Sequence, residues 1–388
     1  MKMLVLGAGL QGCACAYDLL QNPAVTQVTL ADLRPDNLPP FLAERGDWDG
    51  RLRTVRLDVT DPVAVQETLR GHTAVMSAIP YYYNGPMARA AVEAGCHFSD
   101  LGGNTEIVFE QKKLHDQAVA RGVSIIPDCG LAPGMVNILA AEGIRRLDQA
   151  EQVKVYVGGL PQQPEPPLNY QIVYSLEGAL DYYTTPSWVL RGGKREQVDA
   201  LSELEAVDFP LPVGTLEAFH TGGGISTLPF AYEGKVDVME YKTLRYPGHV
   251  AIMRPIRELG LLDIKPVEVK GKSVSPRDVF IATVRPKLHK PLGRDLVALQ
   301  VIVTGRKGGQ PARVSFRLID RYDADHGISA MMRTTGYSLS ITGQMQADGR
   351  VAANGVHTPD EAIPFAAYVQ ELGRRGIRIE ELQAPGGC

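Results

Sequence analysis

Over the first third of the chain, short apolar runs alternate with segments of helical periodicity. Lys2–Leu6 is an apolar run that stops at Gly7, and Leu10–Leu20 repeats apolar residues at helical spacing. Val28–Ala31, Leu52–Leu57, Ala74–Ala78, His97–Leu101 and Val123–Pro127 read as further strands. Pro62–Leu69, Pro86–Ala94 and Glu106–Arg121 read as the helices between them. Strand–helix alternation at this spacing implies crossover connections, and so predicts a doubly wound parallel sheet of Rossmann type with helices on both faces.

The pattern changes after Asp128. Pro133–Gly134 is expected to open a helix to about Leu147, with proline in the first turn. Longer, alternating strands follow at Gln152–Gly158, Val236–Leu244, Leu296–Thr304 and Ala312–Leu318, with hairpin turns at Gly192–Gly193 and Gly305–Gly309. This predicts a second α/β domain with a mainly antiparallel sheet. The short Pro161–Pro167 stretch reads as an ordered connection. Met331–Met345 and Phe365–Gly373 are helical again and are expected to return to the first domain, while Pro385–Cys388 reads as a frayed tail. The implied division is 1–130, 131–330 and 331–388.

Length and charge narrow the function classes. A chain of 388 residues exceeds one ordinary domain. A net charge of -4 and a pI near 6.1 argue against a nucleic-acid partner. The opening apolar run is too short for a secretory signal, and no stretch reaches the length needed to cross a membrane. The five cysteines fall in no metal-ligand spacing and fit a reduced, cytoplasmic compartment.

Gly7-Ala8-Gly9-Leu10-Gln11-Gly12 matches G-x-G-x-x-G between the first strand and the first helix, the context that gives this motif meaning. Gly7 serves the tight turn, Gly9 clears space for a pyrophosphate, and Gly12 lets helix and strand approach. The helix N-terminus offers free N–H groups to the phosphates. Asp32, 20 residues beyond Gly12, falls where a carboxylate accepts the adenosine ribose hydroxyls and repels a 2′-phosphate, which favours NAD over NADP. Arg34, two residues on, is the residue type that binds such a phosphate. Asp58 and Val59 are expected to end the third strand beside the adenine. Ala78, Ile79 and Pro80 leave the fourth strand at the switch-point crevice, where Leu101 and Gly102 also fall. Tyr81, with Tyr82 and Tyr83, either meets nicotinamide or substrate or packs between domains.

Pro127-Asp128-Cys129-Gly130-Leu131-Ala132-Pro133-Gly134, together with the fingerprint, resembles the saccharopine dehydrogenase family. Asp100-Leu101-Gly102-Gly103, Tyr156-Val157-Gly158-Gly159-Leu160-Pro161, Tyr174-Ser175-Leu176-Glu177-Gly178, Glu217-Ala218-Phe219-His220-Thr221 and Lys242-Thr243-Leu244-Arg245-Tyr246-Pro247-Gly248-His249 resemble its L-lysine 6-dehydrogenase branch. The resemblance runs from Met1 to roughly Ile379. It implies a homodimeric enzyme that uses NAD to oxidise the ε-carbon of L-lysine, giving 2-aminoadipate 6-semialdehyde, which cyclises, and ammonia. The second domain would carry the subunit interface.

Such chemistry makes specific demands. A primary amine must lose its proton before hydride can leave, which calls for desolvation or a nearby base. A distant α-carboxylate suits arginine's planar fork. Asp128, at the end of the sixth strand, is a candidate to orient amine or water, or else a helix-capping residue. Glu177 is a candidate base or ammonium ligand, equally explained by a helix dipole. His220 has an ordinary pKa suited to acid–base work. Arg245 is the candidate carboxylate ligand, with Tyr246 and His249 on the same turn as further contacts. Histidines do not cluster as metal ligands, so no catalytic metal is expected. The rival readings are a saccharopine-type or carboxynorspermidine-type dehydrogenase and a non-enzymatic NAD-binding protein.

Overall fold

The computed structural model describes residues 1–44 and 48–383, so the tail Pro385–Cys388 lies outside the described residues. Strands β1 (Lys2–Leu6), β2 (Gln27–Asp32), β3 (Leu52–Arg56), β4 (Ala74–Ser77), β5 (His97–Asp100) and β6 (Ser124–Ile126) form one parallel sheet in the order β3-β2-β1-β4-β5-β6. A seventh strand, from near the end of the chain, joins beyond β6. Strands β1 and β4 bury nearly every residue because helices cover both faces, which is why their sequences read as unbroken apolar runs. The chain reverses its winding between β1 and β4, and their carboxyl ends open a crevice there.

The second sheet contains β7 (Gln149–Pro161), β8 (Ser187–Arg191), β9 (Lys194–Val198), β10 (Glu205–Asp208), β11 (Thr215–His220) and β12 (Val238–Arg245). After a separate small hairpin, β13 (Val267–Val269) and β14 (Lys272–Val274), it continues with β15 (Asp295–Lys307) and β16 (Gln310–Arg321). Strand β17 (Gly355–Val356) is the one that extends the first sheet, and β18 (Glu380–Leu382) edges the second. All pairings in the second sheet are antiparallel except β7 with β12.

The helix Ala330–Ala347 ties the two sheets together. Ser340 donates to Asp18 Oδ2 at 2.6 Å on the first helix, and Gln346 Nε2 donates to the Phe98 and Ser124 carbonyls at 3.0 and 2.9 Å. The C-terminal helices therefore do return to the first domain, and one apolar core runs through both sheets.

Several local expectations are corrected. The helix expected over 106–121 is two, Thr105–Lys112 and His115–Arg121. The helix expected from Pro133 begins at Met135, because Gly134 takes φ +130°, outside helical space, while its N–H is held by Asn137 Oδ1. Strand β3 ends at Arg56, before Asp58. Gly305 lies within β15 at a bulge, and the turn itself is Gly308–Gly309, both at positive φ.

Candidate active site

The crevice at the carboxyl ends of β1 and β4 fits a dinucleotide. Gly7 takes φ +96°, and a Cβ there would lie 2.8 Å from the Ala78 carbonyl oxygen; at Gly12 it would lie 1.8 Å from the Gly7 oxygen. Nothing lies within 4 Å of the Cβ position at Gly9, so space is open where a pyrophosphate would rest. Asp32 accepts the Ala8 N–H on Oδ2 and the Arg34 N–H on Oδ1, both at 2.8 Å, which locks the carboxylate at the end of β2. The Arg34 side chain is exposed. Asp58 is also exposed, and the Thr60 hydroxyl and N–H, bonded to it at 2.6 and 2.9 Å, lower its pKa.

Beside this crevice, between the two sheets, lies a cleft of about 240 Å³. Gln11, Leu101, Gly102, Gly130 and Thr335 come from the dinucleotide side and the connecting helix. From the second sheet come Tyr241, Thr243 and Arg245, alternate residues of β12 and hence on one face, joined by Val157 and Gly159 of β7. Tyr174, Tyr182 and Tyr183 close the cleft from the segment around the helix Leu176–Thr184. Both polar atoms of the Gln11 carboxamide are buried without a partner.

Arg245 is 2% exposed and is the one cation on the cleft wall among the described residues. Its Nε donates to the Tyr183 hydroxyl at 3.2 Å, its NH1 to the Leu244 carbonyl at 2.8 Å, and its guanidinium lies 4.8 Å from the Tyr170 ring centre. Tyrosines act most strongly on its charge, and among the described residues no carboxylate is hydrogen-bonded to it, although Glu217 sits opposite it on β11. A buried guanidinium paired only with neutral groups is poised for an anionic ligand.

Asp128 lies behind the Gly102 wall, 1% exposed, at φ +62°. Neither carboxyl oxygen has a hydrogen-bond partner. Burial, then the neighbouring Asp100, push its pKa up to about 8, and the nearby Ser226 hydroxyl moderates the rise. Asp100 is itself held by the Gly102 N–H and Gln111 Nε2, each at 2.7 Å.

Other residues singled out from the sequence lie elsewhere. Glu177 is exposed, in the first turn of its helix, paired with Arg285. The Tyr246 hydroxyl donates to the Pro161 carbonyl at 3.0 Å and packs with the apolar cluster on the far face of the second sheet. Tyr81 lines an adjoining cavity with Glu106, Asp181 and Trp188. His249 stands behind Tyr183, its Nε2 3.0 Å from the hydroxyl.

His220 is fully buried among charges on the sheet face away from the cleft, because it alternates with Thr221 and Phe219. Its Nε2 lies 3.1 Å from Glu203, and burial keeps its pKa below the ordinary value. Glu203, His220 and Glu240 come close enough to resemble a metal site. Arg191 NH2 bridges the two carboxylates at 2.9 and 2.7 Å, however, and Lys154 lies 3.2 Å from Glu240, so cations of the chain already neutralise the cluster. Burial raises the Cys129 thiol far above its ordinary pKa, leaving it inert.

The cleft tyrosines Tyr174, Tyr182, Tyr183 and Tyr241 are site residues that the sequence motifs do not single out. The signal for Tyr241 was available, since Tyr241, Thr243 and Arg245 share a period of two on one strand. Tyr174, Tyr182 and Tyr183 reach the cleft through a loop and a helix, where no local period marks them.

The fold and cleft define a pyridine-nucleotide oxidoreductase acting on a small molecule. Residues 3–126 match the saccharopine dehydrogenase NADP binding domain and residues 130–377 the saccharopine dehydrogenase C-terminal domain. The chain belongs to the saccharopine dehydrogenase family. It is 21% identical to the NADP(+), L-glutamate-forming saccharopine dehydrogenase of Schizosaccharomyces pombe, over 85% of this chain and 88% of that protein. It is also 21% identical to the carboxyaminopropylagmatine dehydrogenase of Synechocystis sp., over 98% and 97% respectively. The apo saccharopine dehydrogenase structure from Saccharomyces cerevisiae shares the fold with a TM-score of 0.79 and 21% identity, covering 98% of this chain and 100% of that one. No helix among the described residues is long and apolar enough to cross a membrane.

Proposed function

We propose that this chain is an NAD-linked dehydrogenase that oxidises the ε-carbon of L-lysine. The observation that carries the reading is the solitary buried Arg245 on the cleft wall. One guanidinium suits one carboxylate. Saccharopine carries several carboxylates, and a cleft of about 240 Å³ with a single cation suits it poorly. Arg245 would hold the substrate α-carboxylate by a paired hydrogen bond. The rings of Tyr174, Tyr182 and Tyr241 would line the aliphatic chain, keeping out water and favouring the neutral amine.

Gly7, Gly9, Gly12 and Asp32 would hold NAD, with Ala78, Ile79, Leu101 and Gly102 beside it. NAD, when bound, accepts the hydride leaving C6. Asp128, with a pKa near 8, is the proposed proton acceptor for the amine or for the water that then attacks the imine carbon. The overall change takes L-lysine, with its ε-ammonium protonated, NAD and water to the semialdehyde, ammonium, NADH and one proton. A carboxylate at position 32 supports NAD over NADP, although the matched domain and the yeast relative carry NADP in their names. On the same reading the enzyme is a cytoplasmic homodimer.

Incubation with L-lysine and NAD at alkaline pH is expected to yield NADH and ammonia in equal amounts. NADH formation with saccharopine but not with lysine would overturn the reading.

A further inference from the structure

Three buried groups behind the cleft form a single line of hydrogen bonds. Arg245 Nε donates to the Tyr183 hydroxyl oxygen at 3.2 Å; that hydroxyl lies 3.0 Å from His249 Nε2; and His249 Nδ1 lies 3.0 Å from the Leu168 carbonyl. A carbonyl can only accept, so Nδ1 carries the proton and Nε2 holds the lone pair. Tyr183 must then donate to His249, which turns its own lone pairs toward Arg245. Every donor in the line meets an acceptor.

Histidine is required to stay neutral for this arrangement. Burial, then the positive charge of Arg245, push the His249 pKa down to about 3, and both groups are 2% exposed. The ring is boxed by Tyr170, Tyr183 and Phe219, the last stacked at 10° with centres 6.3 Å apart. Glu217, opposite Arg245 in the β11–β12 register, does not compete for the guanidinium. Its carboxylate accepts the Gly248 and Val250 N–H groups at 2.9 and 2.7 Å, at the start of the helix that carries His249.

We propose that His249 is a positioning residue: through Tyr183 it fixes the Arg245 fork in the orientation that receives a substrate carboxylate. The neutral acceptor at the end of the line sets the polarity of the Tyr183 hydroxyl. That hydroxyl holds Nε of Arg245, and the NH1 bond to Leu244 holds a second edge. The remaining NH2 edge is then presented without a rotamer search on binding. This inference rests on Arg245 as the carboxylate ligand.

The test compares Tyr183→Phe, His249→Phe and His249→Gln with Arg245→Met in the whole enzyme. The substrates are L-lysine and 1,5-diaminopentane, which lacks the carboxylate, the latter also used as an inhibitor against lysine. His249→Phe and Tyr183→Phe should each raise the KM for lysine roughly tenfold. His249→Phe, which lies outside the cleft lining, should leave kcat and the KM for NAD within about threefold and the diaminopentane constant unchanged. The double variant should be no worse than either single one, because both break one line. His249→Gln, whose amide oxygen can accept from Tyr183, should restore much of the affinity. In the unaltered enzyme, side-chain nitrogen NMR should show His249 protonated on Nδ1 alone from mildly acidic to alkaline pH.

An equal weakening of lysine and diaminopentane, additive effects of the two Phe variants, or a His249 proton on Nε2 would overturn the proposal. Failure of Arg245→Met to weaken lysine would instead overturn the carboxylate assignment beneath it.

Discussion

Gly102 and Asp128 share a space that only one side chain can fill: a Cβ on Gly102 would lie 2.0 Å from Asp128 Oδ1. Gly102 also takes φ +71°, a region that costs an L-residue about 1–2 kcal/mol before any overlap is counted. The cleft wall and the buried acid are therefore one unit. Gly102→Ala should displace the Asp128 carboxyl and lower kcat by roughly tenfold or more, while urea titration shows a loss of about 2 kcal/mol. Retention of full activity would separate Asp128 from the chemistry.

Asp128 also leaves a signature in stability. Its folded pKa, about 8, lies above the unfolded carboxyl value, so the folded state holds a proton that the unfolded state releases. Its contribution is complete at pH below the unfolded value and is lost as pH rises through 8. Asp128→Asn should remove this fall: relative to the unaltered protein it should gain stability as pH moves from 5 to 8, by about 3 °C in Tm or more. Activity should move oppositely, with kcat down roughly a hundredfold and the alkaline rise in rate abolished.

The cofactor preference rests on Asp32, whose two oxygens accept the Ala8 and Arg34 amides. Asp32→Ser should weaken NAD use by about tenfold in kcat/KM and improve NADP relative to NAD. Initial rates with each cofactor at fixed lysine decide the matter.

His220 and Glu177 should separate structure from chemistry. His220→Ala removes a buried ring that bonds the exposed Glu203 and lies beside the buried Glu240, and should cost about 1–3 kcal/mol of stability. Its kcat/KM should stay within about threefold of normal. Glu177→Gln breaks an exposed pair with Arg285 and keeps an oxygen that can accept from the Ser175 hydroxyl, so it should change neither property measurably.

How far these features were legible depends on the range of the interactions behind them. The parallel sheet was plain because β1 and β4 are buried on both faces, and the cofactor loop because its three glycines sit within six consecutive residues from strand to helix. Arg245 was legible as a carboxylate ligand type, but its lack of a counter-ion was not, since that depends on Glu217 being committed to the helix at His249. His220 was misread for a related reason. On a strand, neighbouring residues face opposite ways, and nothing local says whether His220 or Thr221 meets the cleft. Glu177 was ambiguous between a helix N-terminus and a base, and the partner that resolves it, Arg285, lies 108 residues away.

The most direct test follows the hydrogen itself. With L-lysine carrying deuterium at both C6 positions, the reduced nicotinamide should gain one deuterium for each ammonia released, and the rate should fall where hydride transfer limits turnover. Reduced nicotinamide without deuterium, or reduction seen only when saccharopine replaces lysine, would contradict oxidation at the lysine ε-carbon.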